Sequence, residues 1–222
     1  MSFMNQGKLI TFEGIDGAGK STQLQLLRQS LEMADIAAVL TREPGGVDTA
    51  EAIREILLHQ HGLEPVTELL LHSAARSEHV IKFIHPHLMA GTYVLCDRYV
   101  DSTMVYQGYG QGVPQEDIIA LHHIGTGMLL PDLTFVLQVP LEVARSRQTE
   151  RMGPKDRYET ESDLFYARLH QGFALLPTLF PERCYAIDAT DTIEATHQKI
   201  VSYMNIKLGL DLLPVTHGEV SS

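Results

Sequence analysis

The segment from Gly14 to Ser21 carries the clearest chemistry in this sequence. It reads Gly-Ile-Asp-Gly-Ala-Gly-Lys-Ser, which matches G-x-x-x-x-G-K-[ST], and it lies between an apolar run and a helix-like pattern. Glycines allow backbone N–H groups to turn inward around phosphate oxygens, and the next helix adds free N–H groups and the positive end of its dipole. Lys20 can reach the β- and γ-phosphates, and the Ser21 hydroxyl can bind Mg²⁺. The segment therefore predicts a nucleoside triphosphate site with magnesium.

Charged residues follow two further apolar runs. Arg42 lies in Thr-Arg-Glu-Pro-Gly-Gly (residues 41–46), and Asp97 and Arg98 follow Tyr93–Cys96. Ligands bind at the carboxyl ends of strands in doubly wound sheets, so these side chains are expected near the triphosphate. A guanidinium fork suits phosphate, which makes Arg42 and Arg98 candidates for gripping an anion, and Asp97 is a candidate magnesium-side carboxylate. A solvated Arg42 and a simple Asp97–Arg98 ion pair are the competing interpretations.

A cluster of cations occupies the segment 145–157. Arg147 and Arg151 are four residues apart and share a face where the segment is helical, whereas Gly153 and Pro154 favour a loop. Phosphoryl transfer builds negative charge on equatorial oxygens, and arginines from a closing lid can stabilise it. We therefore predict a short lid over about residues 145–157, with a solvated basic stretch as the alternative.

Five apolar runs alternate with helix-like patterns along the chain. This order is typical of repeated βα units, so we predict an α/β, three-layer fold in which helices cover both faces of a parallel sheet of about five strands. The first helix should run from about Gly19 to Ala34. The predicted strands are Leu9–Phe12, Ala37–Leu40, Tyr93–Cys96, Leu133–Val139 and Cys184–Ile187.

A longer helical pattern begins after Pro65 and should kink or end at Pro86. Apolar residues such as Val66 and Leu70 recur in it every three or four positions, and they could face the core or an interface. The opposite stripe is polar and consists of Glu68, His72, Arg76 and His79. Because a solvated polar face would have the same spacing, the stripe by itself does not distinguish a site from a surface.

The length, composition and net charge of the chain exclude several classes of protein. The 222 residues, 44% of them hydrophobic, suffice for one core, and we predict a single domain over residues 1–207 with a partly ordered or frayed tail from 208 to 222. A net charge of −11 argues against a general nucleic-acid binder. The N-terminus lacks a signal-peptide pattern, and no run of about 18 apolar residues occurs. We therefore expect a soluble, cytoplasmic protein that does not bind a membrane.

The motifs, taken in order, resemble those of thymidylate kinases over nearly the whole chain, to about residue 206. The first motif alone is shared by many families, but the ordered combination is specific. The matching segments are Phe12–Thr22, Thr41–Gly46, Ala74–Arg76, Asp97–Tyr99, Ser102 and Thr103 with Tyr106–Gly108, Pro131–Leu133, Asp156 with Arg157, and Ile187–Ala189.

The resemblance implies a P-loop NTPase fold, ATP and dTMP as substrates, Mg²⁺ as cofactor and a homodimer. The catalytic residues that it implies are Lys20, Arg98, Arg151 and, next in preference, Arg147. The implied ATP-binding residues are Gly14, Ile15, Asp16, Gly17, Ala18, Gly19, Lys20, Ser21 and Thr22. The implied dTMP-binding residues are Asp16, Arg42, His72, Arg76, Arg98, Ser102, Thr103, Tyr106 and Gln107. The candidate magnesium ligands are Ser21 and Asp97.

One position departs from the family pattern, and three other functions stay open. Four residues before Arg76, such kinases usually carry a Phe that stacks on thymine, whereas this chain has His72, which is planar and could still stack. The first is a different nucleotide kinase or a deoxynucleoside kinase of the same fold. A deoxynucleoside kinase would need a carboxylate base for its hydroxyl acceptor, and Glu13 is the candidate. A GTP-binding switch usually has Asn-Lys-x-Asp, which neither Asn5 nor Asn205 fits. A scaffold with a degenerate loop is disfavoured by the intact residues 19–21.

Overall fold

The structure, a computed structural model, describes residues 7–150, 157–158 and 162–216. Within these ranges five parallel strands form one sheet in the order β2-β3-β1-β4-β5. The strands are β1 (Leu9–Glu13), β2 (Ala38–Arg42), β3 (Tyr93–Asp97), β4 (Leu133–Gln138) and β5 (Cys184–Asp188). The five predicted strands and the parallel α/β fold are confirmed, and the strand ends differ from the prediction by one or two residues.

Helices cover both faces of the sheet, which explains why the strands are continuous apolar runs. Successive side chains of a strand point to opposite faces. Ile10 and Phe12 of β1 accordingly pack with the first helix, whereas Leu9 packs against Val80 and Ile84. The helices are α1 (Lys20–Met33), α2 (Asp48–His59), α3 (Pro65–His79), α4 (His85–Met89), α5 (Val100–Thr103), α6 (Gln115–Thr126), α7 (Leu141–Glu150), α8 (Asp163–Leu179) and α9 (Ile193–Leu208), with π-helical segments at Val80–Ile84 and Met104–Gly110.

The long helical pattern after Pro65 departs from regular α-helix a few residues before Pro86. Helix α3 runs into the π-helical segment Val80–Ile84, and α4 follows with Pro86 in its first turn. Proline lacks an N–H and its ring clashes with the carbonyl group four residues earlier, so a regular hydrogen-bond ladder cannot continue through it. Helical residues continue through Pro86 to Met89, so Pro86 does not end the helix, and a kink at this residue stays a prediction.

Helix α3 buries its polar stripe and exposes much of its apolar stripe, which is the reverse of an ordinary amphipathic helix. Glu68 and His79 are fully buried and Arg76 is nearly so, whereas Val66 and Leu70 are 60% and 50% exposed. The polar stripe thus faces the interior of the protein, and much of the apolar stripe lies on the surface. A solvated polar face, one of the two interpretations of the sequence, is wrong for these residues.

The chain after α9 packs on the domain as far as it is described. Gly209, with φ 65°, is the left-handed residue that ends α9. The Asn205 side chain accepts a hydrogen bond from the backbone N–H of Leu212 at 2.8 Å and donates to its carbonyl at 3.0 Å. Leu212 and Val215 are buried, so contacts hold this part of the tail in place. None of the helices in the described ranges is long and apolar enough to cross a membrane.

Candidate active site

The loop between β1 and α1 needs glycine at two positions. Gly14 and Gly17 have φ angles of 132° and 85°, which side chains rarely allow. A Cβ atom on Gly14 would lie 2.5 Å from the carbonyl oxygen of Leu137, and one on Gly17 would lie 2.4 Å from that of Ala144. The loop therefore lies tightly against the end of β4 and against α7, and α1 begins directly after it.

Lys20, the first residue of α1, lies across this loop. Its ammonium group donates to the carbonyl oxygens of Gly14 at 3.1 Å and Ile15 at 3.2 Å, and it lies 3.8 Å from the Asp16 carboxylate. Burial and the nearby positive charge of Arg98 lower the pKa of Lys20. A buried ammonium held mainly by neutral carbonyl groups is a strong donor for an incoming phosphate oxygen.

Arg98 connects the loop after β3 to the loop after β1. Its φ is 68°, an uncommon conformation for a residue with a side chain. Its Nη2 atom donates to Asp16 Oδ1 at 2.6 Å, its Nη1 atom donates to Ser102 Oγ at 3.0 Å, and the guanidinium lies 5.1 Å from the centre of the Tyr106 ring. Burial alone would raise the pKa of Asp16, but the charges of Arg98 and Lys20 outweigh it and keep that pKa low. Two cations and one carboxylate thus meet beside the loop.

Glu13 supports the backbone that carries Arg98. Its carboxylate is fully buried and accepts hydrogen bonds from the N–H groups of Tyr99 and Ser102, at 2.8 and 3.2 Å, and from the Ser102 hydroxyl at 2.5 Å. Since that hydroxyl donates to Glu13, it accepts from Arg98. Burial, reinforced by the charge of Asp101, raises the pKa of Glu13. All of these contacts lie within the protein, so Glu13 positions other groups.

Arg42 is at the carboxyl end of β2, in register with Asp97 at the end of β3. Its side chain is half exposed, and its Nη2 atom donates to both carboxylate oxygens of Glu51, at 3.1 and 3.0 Å. Exposed ion pairs contribute at most about 1 kcal/mol. A phosphate arriving at this edge of the sheet can therefore replace Glu51 as the partner of Arg42 at small cost.

Arg76 is buried where the polar stripe of α3 meets the loops after β2 and β3. Its Nε atom donates to Glu43 at 2.7 Å, and its Nη2 atom donates to Thr103 Oγ1 at 2.8 Å and to the carbonyl of Tyr99 at 3.2 Å. His79, one turn further along α3, contacts the other oxygen of Glu43 at 3.0 Å. These bonds fix the guanidinium at the inner end of the site.

A second buried carboxylate, Glu68, organises the same end of the site. It accepts hydrogen bonds from the Gln107 amide at 2.6 Å and the Tyr158 hydroxyl at 2.5 Å, and it forms an ion pair with Arg157. The imidazole of His72 is 3.2 Å from the Tyr158 hydroxyl. The roles of Glu68 and Tyr158 were not predicted, although Glu68 lies on the same stripe as His72. Arg157 is buried, so at this residue the interpretation as a solvated basic stretch is wrong.

The segment predicted as a lid is described only in part. Helix α7 carries Arg147, whose Nη2 atom donates to the carbonyl of Ala189 at 3.3 Å, and Gln148, whose amide donates to the carbonyl of Asp16 at 2.8 Å. Gln148 was not predicted, and it ties α7 to the loop after β1. Arg151, the preferred catalytic arginine, lies outside the described residues, so its role stays a prediction.

One cavity of about 1550 Å³ brings most of these side chains together. It extends from the loop after β1, past the ends of β2 and β3, to the buried polar stripe of α3. Gly14, Ile15 and Ala18 do not line it, because they form the rear of the loop. The predicted residues that line it are Asp16, Gly17, Gly19, Lys20, Ser21, Thr22, Arg42, His72, Arg76, Asp97, Arg98, Ser102, Thr103, Tyr106, Gln107 and Arg147.

Comparison with known proteins identifies the family. A family model described as thymidylate kinase matches residues 12–200. The chain belongs to the thymidylate kinase family. It is 47% identical to a thymidylate kinase of Alkalilimnicola ehrlichii, over 86% of this chain and 89% of the relative, and 44% identical to one of Geobacter sulfurreducens, over 86% and 92%. A crystal structure of thymidylate kinase from Ehrlichia chaffeensis matches with a TM-score of 0.72 and 36% identity, covering 90% of this chain and 99% of that one.

The residues that would hold magnesium in this member of the thymidylate kinase family have a suitable arrangement. The Ser21 hydroxyl donates to Asp97 Oδ2 at 3.0 Å, and the other oxygen of Asp97 is buried and has no hydrogen-bond partner among the described residues. Mg²⁺ prefers hydroxyl and carboxylate oxygens together with water and phosphate oxygens. A buried carboxylate oxygen with unused acceptor capacity fits such an ion or its bound water.

Proposed function

We propose that this protein transfers the γ-phosphoryl group of ATP to dTMP, giving dTDP. The observation that carries the proposal is the single cavity that joins the loop around Lys20 to Arg98 and to the buried polar groups around Arg76 and Gln107. Its two ends suit a triphosphate and a nucleoside monophosphate, respectively. Family membership supports the same pair of substrates.

The proposed binding roles follow the lining of the cavity. The ATP phosphates would lie in the loop of residues 14–22 and displace Lys20 from its carbonyl partners. The dTMP phosphate would bind Arg98 and Arg42, and it would replace Asp16 and Glu51 as the partners of these two side chains. The base would enter between His72 and the buried groups of Arg76 and Gln107.

The mechanism that this arrangement supports is an in-line transfer with little covalent work by the protein. The acceptor is an ionised phosphate and needs no strong general base. Lys20 and Arg98, which lie near each other in a buried site, offset the repulsion between donor and acceptor and stabilise charge in the transition state. Mg²⁺, held by Ser21 and Asp97, would neutralise phosphate charge when bound. Closure of the segment after α7 would limit hydrolysis of ATP by excluding water.

The alternative of a deoxynucleoside kinase receives less support. That chemistry needs a carboxylate base within reach of the acceptor hydroxyl. Glu13, the candidate base, is fully buried, and both of its oxygens are occupied by hydrogen bonds to Tyr99 and Ser102. Glu13 does not line the cavity, so a substrate hydroxyl cannot reach this carboxylate without displacing the loop that carries Arg98.

A panel of acceptors tests the proposal. ADP release would be measured with ATP, Mg²⁺ and either dTMP, thymidine, dUMP or dCMP, with Lys20→Ala as the control for a contaminating kinase. We expect dTMP to be the best acceptor and thymidine to be inactive. Phosphorylation of thymidine in preference to dTMP would refute the proposal.

We further propose, from the family, a cytoplasmic enzyme that acts as a homodimer. The exposed apolar stripe of α3 supports an interface there, because Val66 and Leu70 project from the surface and Ile124 of the adjacent α6 is 78% exposed. Sedimentation velocity should show a dimer for the wild type and a monomer for Leu70→Glu. The matched control is Leu164→Glu, which changes a similarly exposed leucine on α8. A dimer in all three proteins would contradict this interface.

A further inference from the structure

The contact between His72 and Tyr158 at the inner end of the cavity has a consequence for how a base is held. Both side chains line the cavity, and Tyr158 Oη lies 3.2 Å from His72 Nε2. Tyr158 is only 8% exposed, and its ring meets that of Tyr106 edge-on at 5.2 Å. The Tyr158 ring is therefore packed within the protein, and its hydroxyl lies next to an imidazole that lines the cavity.

The hydrogen-bond partners of Tyr158 determine which nitrogen of His72 carries the proton. The Glu68 carboxylate only accepts, so the Tyr158 hydroxyl hydrogen points to it, at 2.5 Å between the oxygens. Arg157 only donates, and it contacts the same hydroxyl oxygen at 3.0 Å. With its one hydrogen used, Tyr158 Oη can only accept from His72, so Nε2 of the imidazole must carry hydrogen.

The imidazole is also uncharged in this environment. Burial, and then the positive charge of Arg76, lowers the pKa of His72 to about 4. A neutral ring with its proton on Nε2 has two flat apolar faces and an unprotonated Nδ1. A neutral aromatic ring of this kind can stack on a pyrimidine when its plane is fixed.

We propose that Tyr158 is a positioning residue for His72: its hydroxyl, oriented by Glu68, holds the imidazole in the neutral Nε2–H form and in one plane, and the pyrimidine ring of the acceptor stacks on that plane. This inference rests on the proposed function, because it assigns the pair to the base of dTMP. In this proposal Tyr158 does not bind the substrate directly. Its hydroxyl affects binding of dTMP only by orienting the imidazole of His72.

A double-mutant cycle separates the two roles. The steady-state constants for dTMP would be measured for the wild type, Tyr158→Phe, His72→Phe and the double variant. Tyr158→Phe removes the bonds of the hydroxyl to Glu68 and Arg157 as well as the one to His72. The loss of the neutral bond to His72 should raise the KM for dTMP by about 2- to 10-fold, with a smaller change in kcat. A phenyl ring needs no hydrogen bond to stack, so Tyr158→Phe should change KM by less than about twofold when His72 is already Phe. Tyr185→Phe, which removes an exposed hydroxyl on β5, is the control.

A spectroscopic measurement tests the tautomer without relying on activity. In protein labelled with ¹⁵N in its imidazoles, the His72 resonances can be assigned by their loss in His72→Phe. The wild type should show hydrogen on Nε2 and an unprotonated Nδ1 at neutral pH, and Tyr158→Phe should show a mixture of tautomers.

Three outcomes are distinguishable. Removing the Tyr158 hydroxyl could raise the KM equally in the wild type and in His72→Phe, or could leave the His72 tautomer unchanged. Either result would overturn this inference and leave the proposed function standing. A wild type that does not phosphorylate dTMP would overturn the proposed function and this inference with it. Coupling in the cycle together with a single wild-type tautomer would support it.

Discussion

Replacing Glu13 by Gln should impair phosphate binding by Arg98 while leaving the fold in place. The carbonyl oxygen of the introduced glutamine could still accept from the Tyr99 and Ser102 N–H groups. An amide –NH₂ in place of the second oxygen cannot accept the Ser102 hydroxyl hydrogen, which now makes a 2.5 Å bond. Ser102 must then turn, and it loses its orientation toward Arg98, which it contacts at 3.0 Å.

The size of this effect follows from the bond that is lost. A hydrogen bond to a charged group contributes about 1.5–3 kcal/mol, which corresponds to roughly 10- to 150-fold in an equilibrium constant. Because Arg98 has a left-handed backbone conformation that Glu13 helps to maintain, we expect this loss chiefly in the KM for dTMP. The KM for ATP should change much less, since the Glu13 carboxylate bonds to Tyr99 and Ser102, beyond the end of β3.

A coupled assay of ADP release at varied dTMP would measure the effect, with a thermal melt of each protein. Glu116→Gln, at an exposed position on α6, is the matched control and should behave as the wild type. A fall in melting temperature with an unchanged KM for dTMP would show that Glu13 is only structural. Wild-type values of both KM and kcat for dTMP would refute the assignment of Glu13 as a support for Arg98.

Three further predictions concern other parts of the site and the fold. Lys20→Ala should lower kcat by about 10²–10³-fold or more without unfolding, and near wild-type turnover would reject the triphosphate site. Arg151→Ala should lower kcat more than it raises the KM for dTMP, and finding that pattern in Arg147→Ala instead would move the catalytic role to α7. Burial lowers the pKa of His197 to about 4, so the unfolded chain binds more protons between about pH 4 and 6.5 and stability should rise across that window. His197→Gln should make this rise less steep by up to about 1.4 kcal/mol per pH unit in chemical denaturation, and an unchanged slope would contradict the buried neutral state.

The local sequence was enough to predict the five strands and the loop between β1 and α1. A parallel strand buried on both faces must be apolar throughout, so the five strands stand out as short runs. The glycines of the loop are required by backbone angles and by the close approach of Leu137 and Ala144, and Lys20 follows at the start of a helix. The strands and the glycine–lysine pattern are recognisable within short stretches of the sequence, and the strands were predicted within one or two residues. The contacts of the loop with Leu137 and Ala144 were visible only in the structure.

The local sequence could not show whether the polar stripe of α3 is buried in a site or exposed to solvent. Glu68, His72 and Arg76 have the spacing of a solvated face, and only their partners from elsewhere in the chain make them a site. Glu43 binds Arg76 from 33 residues away, and Tyr158 binds Glu68 from 90 residues away. No periodicity in a single helix contains that information.

The sequence by itself determined the family, the parallel sheet and the position of the triphosphate loop, because each depends on residue types at short spacing. The tertiary structure decided which charges are paired: Arg98 with Asp16, Arg42 with Glu51, and Arg157 with Glu68. It also decided that the charged side of α3 is interior and that Glu13 supports the loop after β3. Which charges pair depends on distances between segments that are remote in the chain. Burial then strengthens the interactions between these charges and shifts the pKa values of the groups in the site.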